Sequence, residues 1–214
     1  GMPVAAPTGS RASSSTSMAG PVAASPVAPV SERRLVSVLF ADLVGFTTLS
    51  ERRDPEVVRE MVSGYFDRCR VLIGRYGGTV EKFIGDAVMA IFGLPHVHGD
   101  DAERAVAAAL ALKSAVSDDP SLSDVMLRIG VNTGEVVATS DSSSGDFLVT
   151  GDAVNVAARL QQCANPGEIL TSVRTHAATA VAFLFGDSRT VEVKGKRGPL
   201  QSVPVVGMRT TRLV

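Results

Sequence analysis

Three features are scarce in this sequence: net charge, cysteine and long apolar runs. Its 214 residues carry a formal net charge of −1, which leaves no electrostatic footprint for duplex nucleic acid. The only cysteines are Cys69 and Cys163, so neither a disulfide framework nor a zinc pattern is predicted, and we expect a reducing compartment, the cytoplasm. No apolar run approaches the roughly 20 residues that a membrane-spanning helix needs.

The first part of the chain is low in complexity. Residues 1–31 are rich in Ala, Ser, Pro and Gly and contain no aromatic residue, so they cannot bury enough apolar surface to offset the entropy lost on ordering. We predict a disordered tail or linker there, without the charged start and apolar block of a signal peptide. The folded domain is predicted at 32–207 and a C-terminal tail at 208–214, and we expect regulatory domains outside this chain.

Short apolar runs alternate with amphipathic stretches in the folded part. Leu35–Phe40 predicts a buried strand, and Asp54-Pro55 predicts the cap and first turn of a helix that ends at Gly77-Gly78. A hairpin, a second long helix and two strands on either side of residues 132–134 follow. The order strand, helix, hairpin, helix, strand predicts an α+β sandwich. Further predictions are strands at 147–150, 168–171, 181–185, 190–193 and 202–206, and helices at 152–163 and 172–178.

The hairpin lies in the stretch VEKFIGDAVMAIF, where two apolar runs flank Gly85-Asp86. A two-residue Gly-X connection predicts a tight turn, with Gly85 supplying a positive φ at its first position. Asp86 then lies at an exposed tip, which suits a metal ligand better than a packing residue. If Val80, Lys82 and Ile84 alternate onto one face, Lys82 shares that face with apolar neighbours.

A second carboxylate, Asp42, ends the first predicted strand. If that strand and the hairpin are neighbours in one sheet, Asp42 and Asp86 converge. Magnesium takes hard oxygen ligands, so two carboxylates together with substrate phosphates suit a two-metal site. Taken singly, either aspartate is as readily a helix cap or a turn residue.

Four motifs occur in a fixed order along the chain: FADLVGFT at 40–47, EKFIGD at 81–86, GDAVNVAARL at 151–160 and VKGK at 193–196. Together they resemble the catalytic domain of the class III nucleotide cyclases, over about Arg34 to Val206. The resemblance implies a ferredoxin-like α+β fold, an antiparallel or mixed sheet with helices packed on it. It also implies a head-to-tail homodimer with each active site at the subunit interface.

The resemblance further implies a role for each matching residue. Asp42 and Asp86 would bind two divalent ions, Mg²⁺ or Mn²⁺, with help from the carbonyl of Leu43. Glycine at the phosphate-binding turn lets the backbone approach the substrate closely. The main-chain amides that would bind the β- and γ-phosphates belong to Val44, Gly45, Phe46 and Thr47.

The remaining implied roles concern the base, the ribose and the leaving group. Lys82, from the other subunit, would read the adenine edge, and Lys194 would bind the leaving pyrophosphate. Asn155 would orient the ribose, and Arg159 would stabilise charge developing on the α-phosphate. Residues four apart share a helix face, and a guanidinium suits phosphate oxygens. The alternatives are a solvated helix face for Asn155 and Arg159, and an exposed loop for Lys194.

Two residues bear on the choice of base. Adenine N1 accepts the hydrogen bond that Lys82 can donate, whereas guanine N1 carries a proton and the guanylate members place a carboxylate there, so ATP is favoured. The second base-reading position, usually Asp or Thr, is Leu148, which cannot accept from the adenine amino group and forgoes roughly 1–3 kcal/mol. A nearby carbonyl, Thr150 or a shifted Asp146 is the expected compensation.

The sequence therefore predicts an adenylate cyclase that forms 3′,5′-cyclic AMP and pyrophosphate for signal transduction. One other departure is Glu135, at a position where mammalian members hold a phosphate-binding arginine. A catalytically idle nucleotide-binding or dimerisation module is the first alternative, and a guanylate or mixed-specificity cyclase is the second.

Overall fold

The strands and helices of the computed structural model are described over residues 30–140, 147–192 and 198–210, with residue 1. The strands are β1 Val30–Val44, β2 Thr79–Ile84, β3 Ala87–Phe92, β4 Met126–Ser140, β5 Phe147–Thr150, β6 Ile169–Ser172, β7 Phe183–Phe185, β8 Arg189–Val191 and β9 Leu200–Met208. The helices are α1 Phe46–Arg52, α2 Pro55–Arg75, α3 Asp101–Ser117, α4 Asp152–Cys163 and α5 Val173–Thr179, with a 3₁₀ turn at Pro120–Leu122. None of these helices is both long and apolar enough to cross a bilayer.

The strands form one mixed sheet in the order β2-β3-β1-β4-β6-β9-β7, with β5 on β4 and β8 on β9. The pairing of β4 with β6 is parallel, and the other pairings are antiparallel. The central pair is β1 with β4, whose register runs from Val30 opposite Ser140 to Val44 opposite Met126. The predicted α+β class with helices packed on a mixed sheet is confirmed.

Helices cover both faces of this sheet because side chains alternate along each strand. Leu39, Ala41 and Leu43 of β1 pack with the core that includes α2 and α3. Val36, Val38 and Phe40 point to the opposite face and pack under α4. Asp42 continues this second series, so its carboxylate lies on the α4 side of the sheet.

Helix α4 lies unusually close to β4 at Gly130. A Cβ on Gly130 would overlap the Ala157 carbonyl oxygen and the Gln161 backbone nitrogen, and would lie 2.9 Å from the Cβ of Leu160. Nearby, the Asn132 side chain donates a hydrogen bond to the Ala153 carbonyl at 2.9 Å. The absence of a side chain at Gly130 therefore sets how deeply α4 sits on the sheet.

Several local predictions are confirmed. Asp54 caps α2, where its Oδ1 accepts a hydrogen bond from the Glu56 amide at 2.8 Å. Gly77 follows the end of that helix with φ 78°. Gly85 has φ 63° in the turn between β2 and β3, as the hairpin prediction requires.

Three local features differ from what the sequence led us to expect. The strand break at residues 132–134 does not occur, because β1 pairs with β4 continuously and satisfies the backbone there. Helix α1 was not predicted from the sequence; Gly45 starts it in a left-handed conformation, φ 92°. In β2 the register shifts between Val80 and Lys82. Because of this bulge, Val80 packs against the core whereas Lys82 and Ile84 are exposed, so the three do not share one face.

Candidate active site

Two aspartates meet at one end of the central strands. In the pairing of β1 with β3, Ala41 lies opposite Val88. Asp42 is the next residue of β1, and Asp86 precedes β3 in the hairpin turn. The structure thus brings Asp42 and Asp86 to the same end of neighbouring strands, as the sequence predicts.

The electrostatics of this end show that the two carboxylates interact. The pKa of Asp86 is raised above its ordinary value, first by burial and then by the negative charge of Asp42. Backbone amides of Asp86 itself and of Leu43, and the charge of Arg128, oppose that rise in pKa. A divalent cation bound between the two aspartates would relieve their repulsion.

The donor chemistry fits a hard cation with open positions. Within the described ranges, no group of three or more His, Cys, Asp or Glu side chains surrounds a common point. Two carboxylates and a backbone carbonyl would therefore leave coordination positions for substrate phosphates, which is how magnesium is commonly held in nucleotide sites. The residues present fit the two divalent ions that the resemblance implies.

The sequence reasoning missed two direct partners of Asp42. Arg128, opposite Asp42 in β4, donates from Nε at 2.8 Å and from Nη2 at 2.6 Å to Asp42 Oδ2. Gln161 of α4 donates from Nε2 to the same oxygen at 3.1 Å. The sequence signal for a partner was a charged residue, Arg128, between Leu127 and Ile129 in an otherwise apolar strand. Only the register of β1 with β4 shows that Arg128 faces Asp42.

The predicted phosphate-binding segment spans the junction of β1 and α1. Gly45 there is exposed, and a Cβ on it would lie 3.1 Å from the Asp124 carbonyl oxygen. In the first backbone hydrogen bond of α1, the Leu49 amide donates to the Gly45 carbonyl at 3.0 Å. The amides of Phe46 and Thr47 precede that bond and so have no partner within the helix, which leaves them available to an anion.

Asn155 and Arg159 lie on α4, but their environments differ. Asn155 is exposed, and its Nδ2 reaches the Gly151 carbonyl at 3.5 Å. Arg159 is half-buried; its Nη2 donates to the Gly198 carbonyl at 3.0 Å, and its Nε is buried without a partner in the described part of the chain. Asn155 therefore lies on an exposed part of α4, and Arg159 on a half-buried part of the same helix.

The predicted base-reading residues lie on edge elements. Lys82 Nζ is 3.0 Å from Glu81 Oε1, with the lysine side chain 43% exposed and the glutamate 8%. Leu148 on β5 is 57% exposed. Thr150, two residues further along that strand and also exposed, points to the same side. Asp146 and Lys194 lie outside the described residues.

Comparison with known proteins identifies the family of this chain. The family model of the adenylate and guanylate cyclase catalytic domain matches residues 29–206. Adenylate cyclase 1 of Rhizobium meliloti is 32% identical over 186 residues, which are 82% of this chain and 28% of that protein. The chain therefore spans little more than a quarter of this curated relative.

Two solved structures share the fold. The adenylyl cyclase CyaB from P. aeruginosa has a TM-score of 0.75 and 30% identity, over 84% of this chain and 97% of that one. The guanylyl cyclase Cya2 has a TM-score of 0.77 and 31% identity, over 86% and 97%. The chain belongs to the adenylate and guanylate cyclase catalytic domain family and is a class III nucleotide cyclase domain.

Proposed function

We propose that this domain is an adenylate cyclase that converts ATP to 3′,5′-cyclic AMP and pyrophosphate. The observation that carries the proposal is the meeting of Asp42 and Asp86 beside the start of α1. Asp42 lies four residues before Phe46, the first residue of α1, and a nucleoside triphosphate with its metal ions would use both carboxylates and backbone amides. Retention of Asn155 and Arg159 argues against a catalytically idle module.

Asp42 and Asp86, with the Leu43 carbonyl, would hold the two divalent ions. Such ions, when bound, activate the ribose 3′-hydroxyl as a nucleophile and neutralise charge on the phosphates. The pKa of Asp86 is raised only in part by burial, since the charge of Asp42 also contributes. Since each carboxylate would contribute negative charge and ligand oxygens, neutralising either one should weaken the site for metal.

The other residues act by position and charge. The amides of residues 44–47 would hold the β- and γ-phosphates, and Lys194 would hold the pyrophosphate as it leaves. Asn155 would orient the ribose so that its 3′-oxygen lies in line with the α-phosphate. Arg159 would stabilise charge on that phosphate in the transition state, and loss of such a group costs on the order of 10²–10³ in rate.

We further propose that the active form is a head-to-tail homodimer with shared sites. Helix α4 packs mainly over β4, β1 and β6, so the outer hairpin extends beyond it. Lys82 and Ile84 are exposed on that hairpin, where a second copy of the domain could receive them. In this arrangement Lys82 would reach the base bound by its partner. A cytoplasmic location and regulation by domains outside this chain stay predictions.

The choice of ATP over GTP rests on Lys82, which can donate to adenine N1. A guanylate or mixed-specificity cyclase is the second candidate, because Leu148 presents an exposed apolar side chain where a base acceptor is expected. Relatives of both kinds are similar to this chain. Thr150, exposed on the same side of β5, is the described residue best placed to compensate.

The test is to incubate the purified chain with ATP or GTP and Mn²⁺ or Mg²⁺ and to identify the products. We expect cyclic AMP, and we expect Asp86→Asn to abolish it without loss of fold. Formation of cyclic GMP alone would favour the second candidate, and nucleotide binding without turnover would favour an idle module.

Shared sites are tested by mixing two inactive variants, Asp42→Asn and Arg159→Ala. Each mixed dimer would contain one site with neither substitution, so activity should return. No return of activity from folded, dimeric mixtures would contradict the shared site.

A further inference from the structure

We propose that Arg128 and Gln161 are positioning residues that fix the Asp42 carboxylate with Oδ1 free for a divalent cation. The inference rests on the proposed metal-binding role of Asp42. It concerns how the chain orients that ligand. Arg128 and Gln161 both lie outside the four motifs, and the resemblance implies no metal-binding or substrate-binding role for either.

The hydrogen bonds to Asp42 are one-sided. Three N–H groups, two from Arg128 and one from Gln161, all end on Oδ2. In the described part of the chain no hydrogen bond ends on Oδ1. Rotation of the carboxylate would break all three bonds at once, so the group has one preferred orientation. Oδ2 is fully used by protein donors, and Oδ1 keeps its lone pairs for another partner.

A second ion pair, between Arg189 of β8 and Glu168 just before β6, shows that this pattern is not a general result of arginine pairing in this domain. Arg189 donates from Nη1 to Glu168 Oε1 at 2.8 Å and from Nη2 to Oε2 at 2.6 Å. The side chains of Arg189 and Glu168 are 37% and 17% exposed, and those of Arg128 and Asp42 are 35% and 16% exposed. At equal burial, the Glu168 pair uses both carboxylate oxygens, whereas the Asp42 pair leaves one free.

The fold delivers each donor from a different element. Arg128 faces Asp42 directly across the pairing of β1 with β4. Gln161 is 7% exposed on α4, and it reaches Asp42 because Gly130 lets that helix approach the sheet closely. The helix that carries Asn155 and Arg159 thereby also holds the predicted metal ligand.

The experiment uses Arg128→Lys and Gln161→Leu in the full chain, because neither change alters the net charge. Lysine keeps the positive charge but cannot place two N–H groups on one oxygen in a fixed plane. Mn²⁺ alone is titrated into each protein, and free Mn²⁺ is followed by electron paramagnetic resonance. We expect each variant to bind Mn²⁺ about 10-fold or more weakly, the usual effect of losing a group that orients a metal ligand.

Arg189→Lys is the matched control, because it breaks an equally buried pair away from the site. Thermal unfolding of the metal-free proteins reports the structural cost of each change. A purely structural role for Arg128 predicts that Arg128→Lys and Arg189→Lys lose similar stability and that both bind Mn²⁺ as the wild type does. Of these two arginine variants, the proposal predicts weaker Mn²⁺ binding for Arg128→Lys only. If Arg128→Lys does not fold, Gln161→Leu carries the test.

The outcomes separate this inference from the proposed function. Wild-type Mn²⁺ affinity in both Arg128→Lys and Gln161→Leu, with affinity lost in Asp42→Asn, would overturn the positioning role and leave the metal site intact. If the wild-type chain does not bind Mn²⁺, or binds it equally well after Asp42 or Asp86 is replaced by Asn, both the metal site and this inference are overturned.

Discussion

Replacing Gly130 by alanine should disturb the site from a distance. A Cβ there would overlap two backbone atoms of α4, and backbone cannot rotate away as the end of a side chain can. Helix α4 would have to recede by roughly 1 Å in a close-packed interior. Overpacking of this kind costs about 1–3 kcal/mol in the free energy of unfolding.

The same shift of α4 should lower the catalytic rate by more than the loss in the free energy of unfolding would account for. It would draw Gln161 away from Asp42 and displace Asn155 and Arg159, and a misplacement of about 1 Å can cost on the order of 10²-fold in rate. Urea unfolding and the initial rate of cyclic AMP formation measure the two effects separately.

Gly64→Ala is the control for this substitution. Gly64 lies inside α2, and a Cβ on it would meet nothing within 4 Å, so alanine should stabilise the helix by roughly 0.5–1 kcal/mol. The reasoning is refuted if Gly130→Ala unfolds at the same urea concentration as the wild type and keeps full activity.

Three further predictions concern single residues of the site. Because the pKa of Asp86 is raised in the folded state by burial and by Asp42, the stability linked to this group is present at acidic pH and is lost as pH rises through its folded pKa. Without metal, Asp86→Asn should therefore be more stable than the wild type at pH 7 but not at pH 3, as measured by urea unfolding; a wild type that is more stable at pH 7 would contradict this. Lys82→Glu should shift the ratio of kcat/KM for ATP and GTP toward GTP by about 10- to 100-fold, since a base hydrogen bond contributes roughly 1–3 kcal/mol, and an unchanged ratio would remove Lys82 from base recognition. Leu148→Thr should raise kcat/KM for ATP about 10-fold if no other group accepts from the adenine amino group, whereas no gain would show that Thr150 or another acceptor already does so.

Interactions between residues close together in the sequence predicted many of the helix ends and turns. Caps and turns depend on residues next to one another, so Asp54 and Gly85 were placed correctly. The order of the motifs identified the family, and it also predicted that Asp42 and Asp86 meet. That meeting needed only two strand ends in one sheet, which the pattern of apolar runs already indicated.

Other features depended on how the strands align. The bulge at Glu81, which turns Lys82 to solvent, and the unbroken course of β4 both follow from the pairing of whole strands. Composition alone does not fix the register of strands that lie far apart in the chain, because a slip by one residue leaves composition unchanged and moves every side chain to the other face.

The sequence by itself determined the family, the α+β class and the two aspartates of the candidate site. Only the tertiary structure showed what holds the first of them. Arg128 is 86 positions from Asp42 along the chain and Gln161 is 119 positions away. Their hydrogen bonds depend on the register of β1 with β4 and on the depth of α4 over Gly130, and both are properties of the packed sheet and not of any one segment.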